Sequence, residues 1–196
     1  RRLDETIPGL LKRMEWINVG GGYLFNGSTD LSPFFEAIGL LRSTYDVKVF
    51  IEPGSAIARE AGTLVSSVLD LFESEGKTVA VLDTTVNHMP EVFEYQCPPE
   101  VVGARTGAPC TYVLVGGTCL AGDLFGEFSF DEPLEVGSRI AFANAGAYTL
   151  VKAHMFNGIN LPFIHSRRPS GELVLQTQFT YDDFARRNGV ETHVLV

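Results

Sequence analysis

The sequence predicts an α/β segment over residues 1–60, followed by a β domain over residues 61–196. Three observations carry that reading. Two short apolar runs flank one helical pattern in the first sixty residues. Each of those runs ends in a glycine-containing turn. Beyond residue 61 the helical spacing gives way to short β-branched runs separated by turn residues.

The elements follow in order. Leu3, Ile7, Leu10, Leu11 and Met14 recur at helical spacing and predict the tail of a helix. Trp16, Ile17, Asn18 and Val19 make a short buried-strand candidate that stops at Gly20, Gly21 and Gly22. Asp30 stands where an N-cap belongs and Pro33 just inside it. With Phe34, Phe35, Ile38, Leu41 and Tyr45 on one face, a helix is expected through about Ser43. Val47 to Ile51 is a second strand, ending at Glu52, Pro53 and Gly54. Strand, glycine turn, helix, strand is the pattern of a parallel sheet or barrel.

After residue 61, Thr63 to Phe72 reads as a strand, Glu75-Gly76-Lys77 as a hairpin turn, and Thr78 to Asp83 as the return. Further strands are expected at Thr111 to Val115, Arg139 to Ala143 and Leu173 to Thr177. Turns are expected at 107–109, 135–138 and 170–171, and a short closing helix at Thr180 to Arg187, a final segment returning toward the barrel. Many short strands with few helices point to a β-barrel or sandwich. A complete (β/α) barrel takes about 250 residues. The first sixty residues can therefore supply only the carboxyl-terminal part of a TIM-type barrel. The opening Arg1-Arg2-Leu3-Asp4 has no initiator methionine and no leader pattern, and reads as the interior of a longer chain.

Composition narrows the function. Of 196 residues, 45% are hydrophobic and 20% charged, enough for a packed core. A formal charge of -9 argues against nucleic acid, whose phosphates would be repelled, while a small cationic substrate is compatible with it. Cys97, Cys110 and Cys119 form neither an even set nor a Cys-x-x-Cys pair. No disulfide framework and no metal site is expected, and a cytoplasmic location fits best. No apolar run is long enough to cross a membrane.

Several loops could carry chemistry. Gly20, Gly21 and Gly22 could bring backbone N–H groups up to a phosphate, or simply make a tight turn. Glu52, before Pro53 and Gly54, could hold a proton on a ring nitrogen if it lies at the carboxyl end of a barrel strand, or be a solvated turn residue. Cys119 and Asp123 share a glycine-rich loop, where a thiol could donate a proton and a carboxylate could bind an ammonium group. Tyr148 could donate to a phosphate or serve only in packing. His88 precedes Met89 and Pro90; taken alone it reads as a surface or capping residue, and His154, His165 and His193 show no metal spacing.

Together and in this order, these segments resemble the fold-type III, alanine-racemase-like decarboxylases that depend on pyridoxal 5'-phosphate. Gly20-Gly21-Gly22 resembles that family's phosphate loop, and Glu52-Pro53-Gly54 its Glu-Pro-Gly motif. Cys119 to Asp123 resembles its cysteine-containing loop, and Gly146-Ala147-Tyr148-Thr149 with Phe156-Asn157-Gly158 its phosphate-contacting tyrosine segment. The closest likeness is to the carboxynorspermidine/carboxyspermidine branch, through Cys119-Leu120-Ala121-Gly122-Asp123, His88-Met89-Pro90-Glu91-Val92 and Phe130 to Leu134.

The resemblance implies a decarboxylase of a small cationic amino acid, working as a homodimer with shared active sites. It implies Gly20, Gly21, Gly22, Gly54 and Tyr148 around the cofactor and Glu52 at its ring nitrogen. It further implies Cys119 as the proton donor in a partner subunit's site, and Asp123 and His88 toward the substrate. Two departures stand out. Ser55 follows the Glu-Pro-Gly motif where ornithine and diaminopimelate decarboxylases carry arginine. Lys12, Lys48, Lys77 and Lys152 lie in no context that matches the family's cofactor lysine. Ornithine, diaminopimelate or a siderophore or antibiotic intermediate as substrate, a second polypeptide supplying the lysine, or a non-catalytic β domain acting as an interaction module, remain open on the sequence.

Overall fold

A computed structural model describes residues 5–25 and 29–190. The chain divides into two compact units, Arg1–Arg59 and Glu60–Val196.

In the first unit, strand β1 (Trp16–Asn18) pairs in parallel with β2 (Lys48–Phe50). Helix α1 (Ser32–Tyr45) connects them. Asp30 accepts the Ser32 N–H at 2.9 Å, so it caps the chain entering the helix rather than occupying the N-cap itself, which is Leu31. The helix runs two residues past Ser43 and stops where Asp46 turns left-handed, with φ 54°. The expected opening helix does not reach Met14. Gly9 has φ +73°, and only a 3-10 turn over Leu11–Arg13 follows; Leu3 lies outside the described residues.

The second unit is a five-stranded sheet in the order β6-β5-β4-β3-β7, with β3 (Leu64–Ser74), β4 (Lys77–Leu82), β5 (Cys110–Val115), β6 (Leu124–Phe130) and β7 (Arg139–Phe142). Glu75 and Gly76, at φ 51° and 75°, form the two-residue β3–β4 turn, which takes positive φ at both positions as right-twisted hairpins require. β3 serves two partners: Leu64–Ser67 pairs with β7, and the half from Val68 onward pairs with β4. A register shift between Val68 and Asp70 marks the change, a bulge that bends the strand.

The curl closes through an irregular segment. Val101 bridges to Phe142, Val102 N–H donates to Ala141 and Ala143 N–H to Glu100, while Arg105 N–H donates to Ser129. Residues 100–105 thus cover both outer strands of the sheet, and neither edge is left free along that stretch. Inside sit Val68, Leu82, Leu114, Phe125, Ile140 and Phe142, all but excluded from solvent, with the Phe125 and Phe142 rings stacked at 4.6 Å. Strand β8 (Ile164–Arg167) pairs antiparallel with β9 (Leu173–Thr177) outside this sheet.

Among the described residues, three short α-helices complete the unit. These are α3 (Pro90–Tyr95), with proline at its first turn, α4 (Thr149–Lys152), and α5 (Tyr181–Arg187), which Thr180 and Asp183 close with a capping box. In the first unit, Ser55–Ala58 forms a single turn, α2. Among the described residues no helix is long and apolar enough to cross a membrane.

Candidate active site

The glycine run and Glu52 meet at the carboxyl ends of the parallel strands. Gly20 N–H donates to Asn18 Oδ1 at 2.8 Å, Asn18 Nδ2 donates to Glu52 Oε1 at 2.6 Å, and Glu52 N–H donates to the Gly20 carbonyl at 2.8 Å. Asn18 therefore aims the carboxylate while the backbone holds the two strand ends together. A Cβ on Gly21 would lie 2.5 Å from the Glu52 carbonyl oxygen, so only glycine permits this approach. Gly20 and Gly22 take φ of +77° and +83° beside open space. Among the described residues, the N–H groups of Gly21 and Gly22 carry no hydrogen bond. Both glycines are exposed, and two unused N–H donors on an exposed loop suit a phosphate ester, so the residues present fit that part of a phosphorylated cofactor. Gly54 begins the next turn, its N–H bonded to Glu52 and its carbonyl accepting from Ile57 and Ala58.

The remaining predicted residues lie in the sheet unit. There the loop after β5 folds back on the turn after β4. Asp123 is buried and accepts four hydrogen bonds: from Thr85 Oγ1 at 3.0 Å and Val86 N–H at 2.8 Å, and from Thr118 N–H at 3.1 Å and Thr118 Oγ1 at 2.5 Å. A carboxylate offers about four lone-pair positions. These donors fill them, leaving none for a substrate ammonium group. Gly116 has no side chain because a Cβ there would fall on the Asp123 carboxylate. Cys119, four residues before Asp123, is exposed.

His88 is almost wholly buried, at 2% exposure, in a 3-10 turn (Val86–His88) started by Thr85. Its Nδ1 lies 2.9 Å from Thr84 Oγ1, and Nε2 has no well-formed partner. Burial pushes the imidazole down to about 4; the nearby Asn160 backbone and the Asp123 carboxylate only partly oppose this. The ring is neutral near pH 7. Asn87 extends the cluster. It donates to the Phe156 carbonyl at 3.3 Å and accepts the His154 N–H at 3.1 Å.

Tyr148 is half exposed at the start of α4. Gly62 and Gly146 pack back to back, since a Cβ on Gly62 would come within 2.9 Å of Gly146; this close approach sets the segment leading to Tyr148. Lys152 pairs with Glu94, and its ammonium lies 5.7 Å from the centre of the Tyr148 ring. A cavity of about 750 Å³ lined by His154, Phe156, Asn157, Phe184 and Arg187 takes in part of the Phe-Asn-Gly segment but none of the predicted site residues. Among the described residues no cluster of His, Cys, Asp and Glu could hold a metal ion.

Sequence reasoning passed over Asn18, Thr85 and Thr118. Each is a short polar residue beside a strand end, the position from which side chains bond to nearby backbone or carboxylate groups. That placement was the available signal.

Comparison with known proteins gives the class. The family model described as pyridoxal-dependent decarboxylase, C-terminal sheet domain, matches residues 23–146, and the chain belongs to that family. Its members use pyridoxal phosphate. Among particular relatives, the chain is 42% identical over 194 residues to carboxyaminopropylagmatine decarboxylase of Synechocystis, covering 96% of this chain and 50% of that protein. It is 37% identical to the carboxynorspermidine/carboxyspermidine decarboxylase of Herminiimonas arsenicoxydans, covering 93% of this chain and 50% of that one. The crystal structure of carboxynorspermidine decarboxylase from Campylobacter jejuni, complexed with norspermidine, superposes with a TM-score of 0.82 at 35% identity, over 95% of this chain and 55% of that chain. The chain spans about half the length of the curated relatives it matches.

Proposed function

We propose that this chain is the carboxyl-terminal part of a pyridoxal-phosphate-dependent carboxy-lyase that removes CO2 from a carboxylated polyamine of the carboxynorspermidine or carboxyspermidine type. The observation that carries the reading is similarity at 36–42% identity, over at least 90% of the chain, to decarboxylases of such substrates. Diaminopimelate decarboxylases match less of the chain at lower identity, 33% over 148 residues for that of Vibrio cholerae. In this reading β1, α1 and β2 are the end of a (β/α) barrel, and the working enzyme is a cytoplasmic homodimer with active sites shared between subunits.

When bound, the cofactor would supply an electron sink for the pair left on the α-carbon as CO2 departs. The chain supplies the rest. Gly21 and Gly22 present N–H groups to the phosphate, with Tyr148 as a further donor and Gly54 keeping the adjoining turn free of side-chain bulk. Glu52, aimed by Asn18, keeps the proton on the pyridine nitrogen by opposing its positive charge. Cys119 returns a proton to the substrate α-carbon in the partner subunit's site. His88, neutral and held beside Thr84, is assigned to the substrate side of the site.

The test is a CO2-release assay on the complete holoenzyme with carboxynorspermidine, carboxyspermidine, carboxyaminopropylagmatine, diaminopimelate and ornithine. A preference for the first three by at least about 100-fold in kcat/KM is expected. Preference for ornithine or diaminopimelate would reject the substrate assignment.

A further inference from the structure

We infer that Asp123 is a positioning residue, whose buried carboxylate clamps the loop bearing Cys119 to the 84–88 turn. The inference rests on the reading of Cys119 as proton donor. Every group hydrogen-bonded to the carboxylate donates to it: the N–H groups of Val86 and Thr118 and the hydroxyls of Thr85 and Thr118. Only an acceptor of two oxygens satisfies such a ring. Asparagine, whichever way its amide turned, would set an NH2 against a backbone N–H, that of Val86 or of Thr118, and leave a buried donor unpaired.

Two of the donors belong to the turn and two to the loop, so one side chain ties the segments together. The backbone follows the same seam, with Gly117 N–H donating to the Thr84 carbonyl at 3.0 Å and Gly116 N–H to the Asp123 carbonyl at 2.8 Å. The absence of a side chain at Gly116 is part of the clamp, because the carboxylate occupies that space. Cys119 sits one residue beyond Thr118, and a shift of about 1 Å in a reacting group can cost on the order of 100-fold in rate.

The experiment is a double-mutant cycle in the complete holoenzyme with steady-state decarboxylation of carboxynorspermidine, alongside hydrogen exchange of the peptides covering 84–88 and 116–123. Asp123→Asn is expected to lower kcat by at least about tenfold, change KM less than about threefold and speed exchange in both peptides. In a Cys119→Ala background the same substitution should lower kcat by less than about threefold, since the thiol it positions is gone. Thr118→Val, which removes one hydroxyl and keeps the shape, should act in the same direction more weakly; it decides the matter if Asp123→Asn does not fold. A raised KM with kcat preserved would make Asp123 a substrate ligand and overturn the inference. So would an undiminished effect in the Cys119→Ala background, or exchange unchanged in both Asp123→Asn and Thr118→Val. Full turnover by Cys119→Ala alone would instead reject the reading of the thiol, while the exchange data would still decide whether the clamp exists.

Discussion

The strand-pair unit and the sheet unit treat their polar atoms in opposite ways. At the ends of β1 and β2, among the described residues, two backbone N–H groups go unused and an exposed carboxylate is held by a single asparagine side chain. Around β4 and β5, Thr84, Thr85, Asn87 and Asp123 are buried, and each side chain is hydrogen-bonded to a neighbour. A group with spare hydrogen-bonding capacity beside open space can meet a ligand. A group already saturated in the interior fixes the shape of the chain. The two units thus hold candidate site residues of different kinds, and substitutions in them should fail in different ways.

That contrast can be broken by measurement. The largest effect belongs to the sheet interior. Phe125→Ala removes a fully buried ring stacked on Phe142 and should cost about 3–5 kcal/mol in denaturant unfolding; a cost under about 1 kcal/mol would mean the core is not built around that pair. Next comes His88. Its folded-state value of about 4 lies below the ordinary 6.5, so the unfolded chain binds the proton first. Stability is complete above pH 6.5 and declines as pH falls toward 4, by up to about 3 kcal/mol. His88→Gln should flatten the stability profile across that window, and an unaltered slope would show the imidazole is not buried neutral. Acid sensitivity below this range falls to carboxylates such as Asp83. Burial works against its charge, but hydrogen bonds from Ser66 and Ser67 with Arg139 nearby hold its carboxyl below the usual range.

In the strand-pair unit the effects should appear in activity while folding stays intact. Glu52→Ala should reduce turnover by about 100-fold with an unchanged unfolding midpoint. Normal turnover would remove Glu52 from the ring-nitrogen role. Gly21→Ala should push the two strand ends apart locally as its methyl meets the Glu52 carbonyl, weakening cofactor binding by at least about tenfold. Titration of cofactor absorbance would read this, and wild-type affinity would show the loop can yield.

Much of the strand framework was legible because it rests on local chemistry. The β-branched run of β3, the Glu75-Gly76 turn and the short closing helix each declare themselves within a few residues. Leu173–Thr177 was read with its bounds intact. Strand β6 was missed. Gly126, Glu127 and Ser129 interrupt its apolar pattern, and Gly126 takes φ +133° opposite a register shift in β5, so its pairing is set by the partner strand. β8, the β9 partner, was missed as well, being polar and largely exposed. At the candidate site, residue types and loops could be picked out, but connectivity could not. Nothing in the run from Thr118 to Asp123 says that its carboxylate turns inward to Thr85 and Val86, more than thirty residues earlier.

The divided pairing of β3 has a consequence for how the chain comes to be folded. Its second half finds β4 across a two-residue turn, but its first half must wait for β7, beginning at Arg139. At about 5–20 residues per second of synthesis, that interval lasts several seconds. Over that time Leu64 to Ser67 stands as a half-made hairpin with an open flank, the interval in which a nascent copy is most exposed to mispairing with a neighbour on the same message.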